Sequence, residues 1–436
     1  MARFVPLLLL VALRCANAAA AANLAQQLQK LSLDPQECYR VLDFSFAKED
    51  LKIYLTSGYL MFTEPVEGVR LGAIFVADAN AGDAEILLLP PTRSERQSLA
   101  TFTKSPNLEE HFKIAAFLFT DGTAEDLLTR LGSEGRKKSP EAGELIGSQY
   151  SSTLRNLSES FETRILYDLL SRDRKSGVFY MGVTGNELGN FDVLYDPLNQ
   201  DQISMGRLAY HNDRAYFDTW TTFPSRSFRN GAAPPHSRFS LDNFRIEATI
   251  DSDLTMKAVT RATLKVAANA GRAIPLGISR NMRITAASVD GQPAEVFDSE
   301  SLRAMLISSA DDRRFLVVSE NPLDPSEPHE IELHHEGAVI QRAGAGVYFV
   351  ASRGTWYPRS GFEMAKYDLV FRYPKNLALV STGTLVDERM DGNWRIAHRQ
   401  VDTPIRLAGF NLGDFQSSSI QQDGYRIDVY ANRSLE

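Results

Sequence analysis

From Phe244 onward the chain alternates: Phe244, Ile246, Ala248 and Ile250 are interleaved with Arg245, Glu247 and Thr249. Successive side chains of a strand project to opposite faces, so a period of two marks a strand with one face buried. Ala258 to Val266, Arg283 to Val289, Phe315 to Val318, Glu330 to Leu333 and Tyr367 to Tyr373 follow in the same style. Asp290-Gly291 and Asp391-Gly392 are hairpin-type turns between such runs. With hardly any helical period in this half, the pattern predicts an antiparallel β-sandwich over residues 241–436.

The preceding 23–224 have a different texture. Strand-like runs at Val41 to Phe46, Leu51 to Phe62, Gly72 to Val76, Glu85 to Leu89 and Lys113 to Phe119 come first. Thr123, Glu125 and Asp126 then open a helix in the manner of an N-cap. Ser133 to Gly147 is polar, includes Arg136 to Lys138, and reads as a solvated loop. Leu154, Leu157, Phe161, Ile165 and Leu169 recur at helical spacing. Strands return at Gly177 to Val183, Phe191 to Tyr195, Ile203 to Tyr210 and Ala215 to Thr222. Helices set apart from strands predict an α+β domain, of no family that its residues identify. Residues 225–240, with Gly231, Pro234, Pro235 and several serines, read as an interdomain linker. The expected whole is mostly β.

Two domains suit a chain of 436 residues. Its net charge of −8 and the absence of a basic block argue against nucleic acid as a partner. Arg3, the apolar run Val5 to Leu13 and the small-x-small site Ala16-Asn17-Ala18 read as a signal peptide over residues 1–18. Arg14 directly before Cys15 does not suit a lipoprotein cleavage site. No later run is long and apolar enough to span a bilayer, so the expectation is an exported protein, periplasmic or extracellular, without a transmembrane segment. Past the signal only Cys38 remains, which precludes an intrachain disulfide and reads as a buried small hydrophobe.

The stretch His329-Glu330-Ile331-Glu332-Leu333-His334-His335 invites comparison with the zinc helix His-Glu-x-x-His, whose histidines share a helix face because they stand four apart. Here the second histidine comes five positions on, and Pro328 and the alternation of Ile331 and Leu333 with Glu330, Glu332 and His334 indicate a strand. No metal ligands are therefore assigned. His111, His211, His236 and His398 are scattered. Asp196, Asn199 and Asp201 lack the glycine and closing glutamate of a calcium loop. Gly277 to Asn281 fails the nucleophile-elbow pattern at its last position, and Gly182, Gly185 and Gly189 fit no phosphate loop. No catalytic residue is assigned. Two aromatic clusters remain, Tyr216 to Trp220 and Trp356-Tyr357-Pro358; aromatics in β domains are mostly core, but the second, in a turn-rich stretch, could line a groove.

From Phe244 to about Phe415 the order of features resembles the N-terminal domain of the aminopeptidase N family of zinc metallopeptidases. The series runs from the alternating strand and a strand pair ending near Val266 to the turn Asp290-Gly291-Gln292-Pro293 and a strand closing on Gly337. Val347 to Val350, Trp356-Tyr357-Pro358, Tyr367 to Pro374, Val380 to Gly383 and Leu407 to Phe415 complete it. The resemblance implies a β-sandwich that walls the substrate cleft, with Arg353, Trp356 and Tyr357 facing the substrate. It places the zinc helix, the further glutamate ligand and the Gly-x-Met-Glu-Asn loop in a following domain, which would begin where this chain stops, at Glu436. Ser352-Arg353-Gly354 offers no glutamine where family members place a substrate-facing one. The expected function is thus the non-catalytic N-terminal portion of an exported aminopeptidase-like protein, holding no cofactor itself; zinc and contact with a peptide substrate would come through the catalytic domain. The other reading is a stand-alone cell-envelope module whose aromatics bind a peptide or glycan.

Overall fold

The computed structural model describes residues 21–79, 82–171, 176–212, 214–232, 238–268, 270–298, 301, 303, 306, 312–344, 346–350, 355–361 and 363–432. The signal peptide expected over 1–18 therefore lies outside the described residues. The chain forms two compact units: Met1–His236 with Ser299–Ser309, and Ser237–Asp298 with Ala310–Glu436.

The first unit is built on a nine-stranded sheet. Its order is Leu33–Lys48, Leu51–Thr63, Gly72–Ala77, Leu108–Phe119, Phe179–Gly185, Asn190–Tyr195, Ile203–His211 and Arg214–Phe223, and Ala84–Leu88 also pairs with both Leu51–Thr63 and Leu108–Phe119. Alternation decides which face is covered: Leu51, Ile53 and Leu55 are buried while Lys52 and Tyr54 between them are exposed. The covered face gathers Phe44, Phe75, Phe112, Phe117, Phe119, Phe179 and Trp220 into one core. Phe119 lies 5.8 Å from Phe117 and 5.7 Å from Phe179, centroid to centroid. Burying each such side chain contributes about 1.5–3 kcal/mol.

Helix Arg93–Thr103 begins at a capping box, in which the Thr92 hydroxyl accepts from Glu95 N while the Glu95 carboxylate accepts from Thr92 N. Its Phe102 stacks on Trp220 at 6.1 Å. Helix Pro140–Ser160 occupies the second half of the polar stretch expected to be a loop. Pro140 suits a first helical turn, where its missing N–H is not needed. Glu141 and Glu144 are exposed whereas Gly143 and Ile146 are buried, so the stretch is amphipathic but weakly apolar. A Cβ on Gly143 would stand 2.5 Å from the Pro35 carbonyl, and only glycine permits that approach. The helical period spanning Leu154 to Leu169 is divided at Phe161, where the backbone leaves helical geometry before Glu162–Leu170.

Within the stretch 225–240, the described residues at either end are ordered. Arg226–Arg229 forms a helical turn whose Ser225 side chain accepts from Phe228 N. Arg229 Nη2 reaches Asp50 Oδ1 at 2.8 Å, and Ser227 N donates to Glu49 at 2.8 Å. The strand Phe239–Ile250 has begun before residue 240.

In the second unit the main sheet has eight strands. Their order is Gln292–Pro293, Met282–Val289, His329–Gly337, Met256–Val266, Phe239–Ile250, Ala365–Pro374, Trp394–Ile405 and Thr384–Asp391. It is antiparallel except at its centre, where Phe239–Ile250 and Ala365–Pro374 run parallel. Ala273–Ser279, Asp312–Val318 and Glu295–Asp298 make a three-stranded sheet; Ile340–Gly344, Val347–Val350, Phe410–Gly413 and Ala378–Ser381 make a four-stranded one. Asp290 and Gly291 both adopt positive φ, 50° and 72°, as a tight hairpin turn with strand-like twist requires. The hairpin Phe415–Gln422 with Tyr425–Asn432 pairs with no other strand among the described residues. Its register places Ile420 opposite Ile427 and Ser418 opposite Val429, so an exposed apolar face opposes a polar one carrying Arg426 and Asp428.

Candidate functional site

The residues expected to face a substrate are not at a surface. Trp356 and Tyr357 retain 2% and 1% of their accessible surface. Trp356 Nε1 donates to the Ala408 carbonyl at 2.8 Å, and the ring packs edge-on against Phe410 at 5.4 Å and tilted against Phe371 at 5.8 Å. Phe371 belongs to the eight-stranded sheet and Phe410 to the four-stranded one, so the indole fills the space between them. The Tyr357 hydroxyl accepts from Ala408 N at 3.3 Å and shares a hydrogen bond with the Tyr367 hydroxyl at 3.0 Å. Phe244 closes this cluster, stacked on Tyr367 at 5.2 Å. Burial pushes the Tyr367 phenol far above its ordinary range, so it stays a neutral hydrogen-bonding group. The groove-lining expectation is therefore corrected for these two residues: the turn-rich stretch folds inward because an indole and a phenol with satisfied polar atoms stabilise the core more than they would an exposed rim. Arg353 lies outside the described residues.

The histidine-rich stretch is the strand His329–Gly337. His329, Ile331, Leu333 and His335 share one face; His334 and Glu332 share the other. His329 and His334 thus diverge and cannot hold one ion together. Glu332 accepts from Arg261 Nε at 2.7 Å and meets His334 Nε2 at 2.8 Å. The His334 contact, with help from Arg261, holds this carboxyl below its usual range. His335 is buried against the Thr260 hydroxyl at 2.9 Å. Burial, reinforced by His334, lowers its pKa to about 3, so this imidazole is neutral. His398 pairs with Asp368, and Tyr373 donates to Glu388 at 2.8 Å. Among the described residues no three His, Cys, Asp or Glu side chains gather as a metal ion requires.

In the first unit, the carboxylates of the calcium-like stretch serve separate partners. Asp196 is buried against Arg164 at 3.0 Å, and Asp201 accepts from Thr222 at 2.8 Å. Arg164 also meets Asp168 at 2.8 Å, while Thr120 donates to Asp168. Such buried charge is tolerated because each ion finds an opposite one. Of the cluster Tyr216 to Trp220, Trp220 and Phe217 are core and Tyr216 is partly exposed. Asp192 is a buried carboxylate whose pKa burial raises despite Arg303, 3.4 Å away; Tyr180 donates to it. Only Arg164 and Asp168, four apart on helix Glu162–Leu170, left a spacing signal; Thr120, Asp196 and the Asp192–Arg303 pair come from distant positions. Cys38 is buried, and burial pushes its thiol up to about 11, away from nucleophilic use at neutral pH.

No family model matches the chain, and no curated protein matches it. Among solved structures it is similar to the M1 zinc metallopeptidase of Deinococcus radiodurans, at 12% identity and a TM-score of 0.34, over 44% of this chain and 46% of that one. A mutant of that enzyme bound to a Tyr-Ser-Ala substrate is similar at 11% identity and a TM-score of 0.35, with the same coverage. The chain thus spans about half the length of the structures it matches.

Proposed function

We propose that this chain is the non-catalytic N-terminal portion of an exported zinc aminopeptidase-like protein, in which the second unit walls the cleft of a following catalytic domain. The observation that carries this reading is the ordered series from Phe244 to Phe415. Its alternating strand, its Asp290-Gly291 turn, the strand closing on Gly337, the Trp-Tyr-Pro stretch and the strand closing on Pro374 all belong to one compact unit. Trp356 is buried against Phe371 and Phe410 from two sheets of that unit, which gives the Trp-Tyr-Pro stretch a structural reason. His329, Glu332, His334, His335 and Glu336 of the His329–Gly337 strand are each occupied with one another or with neighbouring residues, which suits a scaffold better than a reaction centre. Zinc and the peptide substrate belong, on this reading, to the following domain, since a catalytic zinc needs three protein ligands and an open position. The stand-alone binding module loses most of its basis, because Trp220, Trp356 and Tyr357 are core residues.

The test compares residues 19–436 with a longer product of the same reading frame, by metal content and by turnover of aminoacyl substrates. The shorter protein should bind no stoichiometric zinc and turn nothing over; the longer one should acquire both. Zinc-dependent turnover by residues 19–436 alone, or a reading frame that closes after Glu436, would defeat the proposal.

A further inference from the structure

His329 opens its strand between two turns. Its Nδ1 lies 2.7 Å from Asp290 Oδ2, and its Nε2 lies 2.9 Å from the backbone carbonyl of Asp324. Both partners can only accept, the first as a carboxylate and the second as a carbonyl. A neutral imidazole carries a single N–H, so it can satisfy one of them and must turn a lone pair on the other. Only the imidazolium donates to both. The side chain keeps 11% of its exposure, so water has little room to stand in for a lost partner.

We infer that His329 is a charged clasp: as an imidazolium it joins the Asp290-Gly291 turn to the turn at Asp324–Glu327, and loss of its proton releases the second of these. The carboxylates of Asp290 and Asp324 are the charged groups that bear on the ring. On the neighbouring strand Lys265 is directed to Asp242, at 3.9 Å. Burial works against the charge, but the Asp290 carboxylate and the Asp324 carbonyl outweigh it and hold the group above its ordinary value.

The direction of release follows from the partners' strengths. Asp290 is fixed by its other oxygen, which accepts from Glu330 N at 2.8 Å, and a carboxylate holds an N–H more strongly than a carbonyl does. The neutral ring therefore keeps its proton on Nδ1 and presents a lone pair to the Asp324 carbonyl. That turn is otherwise held locally: Asp324 Oδ1 accepts from Ser326 N at 2.9 Å and from its hydroxyl at 2.7 Å. The strand thus carries histidines in contrasting states, since His335, six positions on along the same face, is neutral beside a hydroxyl.

Histidine-selective NMR over a pH series, on the whole chain, tests the clasp. The His329 resonance should titrate above the ordinary imidazole value, and the backbone signals of Asp324 and Ser326 should shift with the same midpoint. Asp290→Asn should move that midpoint downward, and His329→Gln should abolish the pH dependence of the turn signals while the rest of the spectrum is retained. A midpoint at or below the ordinary value overturns the inference. So do turn signals that ignore the His329 titration, or a midpoint that Asp290→Asn leaves in place.

Discussion

At His335 an imidazole sits in the face that Ile331 and Leu333 also bury, with the Thr260 hydroxyl beside it. Its folded pKa of about 3 lies below the unfolded value of about 6.5, so the unfolded chain binds the proton more readily. Stability is therefore fully present above about pH 6.5 and is lost as pH falls toward the folded value. At 1.36 kcal/mol per unit the loss is on the order of 2–3 kcal/mol by about pH 4.5. Urea unfolding at about pH 7 and pH 4.5 should show that loss in the wild type and a smaller one in His335→Leu; equal losses would mean that the site admits water. The residue scale is also where the sequence reads least well. Trp356 and Tyr357 have the composition of a binding surface and the burial of a core, and a pattern along the chain cannot say that Ala408, far downstream, supplies their hydrogen bonds. The strand containing His329 and His335 was legible from alternation, but the charge state of each depends on partners from other turns and strands.

Among the elements, legibility follows the strength of the periodic signal. The strand Phe239–Ile250 announces itself because every second residue from Phe244 is apolar and buried. Helix Pro140–Ser160 hides because its apolar stripe is thin, and Gly143 contributes closeness rather than hydrophobicity. Helix Arg93–Thr103 carries a readable signature, Thr92 followed three residues later by Glu95, that apolar period alone overlooks. The turn Arg226–Arg229 looked like a tether because its composition is that of one; what fixes it is Asp50, 4% exposed and within 2.8 Å of Arg229. Asp50→Asn should weaken this anchor, and trypsin should then cleave after Arg226 and Arg229 severalfold faster at unchanged global stability. If wild type and variant are cut at the same rate, the turn is not held by this pair. A protease needs an opened backbone, and the cost of opening is what the ion pair sets.

On the scale of the whole molecule, the division at His236 and Ser237 is incomplete, because Ser299–Ser309 belongs to the first unit. Arg303 from that segment lies 3.4 Å from Asp192, whose side chain is nearly enclosed. Arg303→Ala leaves a buried carboxylate without its cation, and the fully buried case costs about 3–5 kcal/mol. With Arg303 partly exposed, a loss of about 2 kcal/mol is expected, read as a lower unfolding midpoint of the first unit. Arg303→Lys should recover part of it, and a midpoint unmoved by either change would show that Asp192 is content with Tyr180 alone. The same segment imposes an order on biosynthesis. A ribosome delivers Asp192 and Tyr180 well before Arg303, with the opening strands of the sandwich in between. The nascent first unit must therefore wait, its acid uncompensated, until part of its neighbour has been translated.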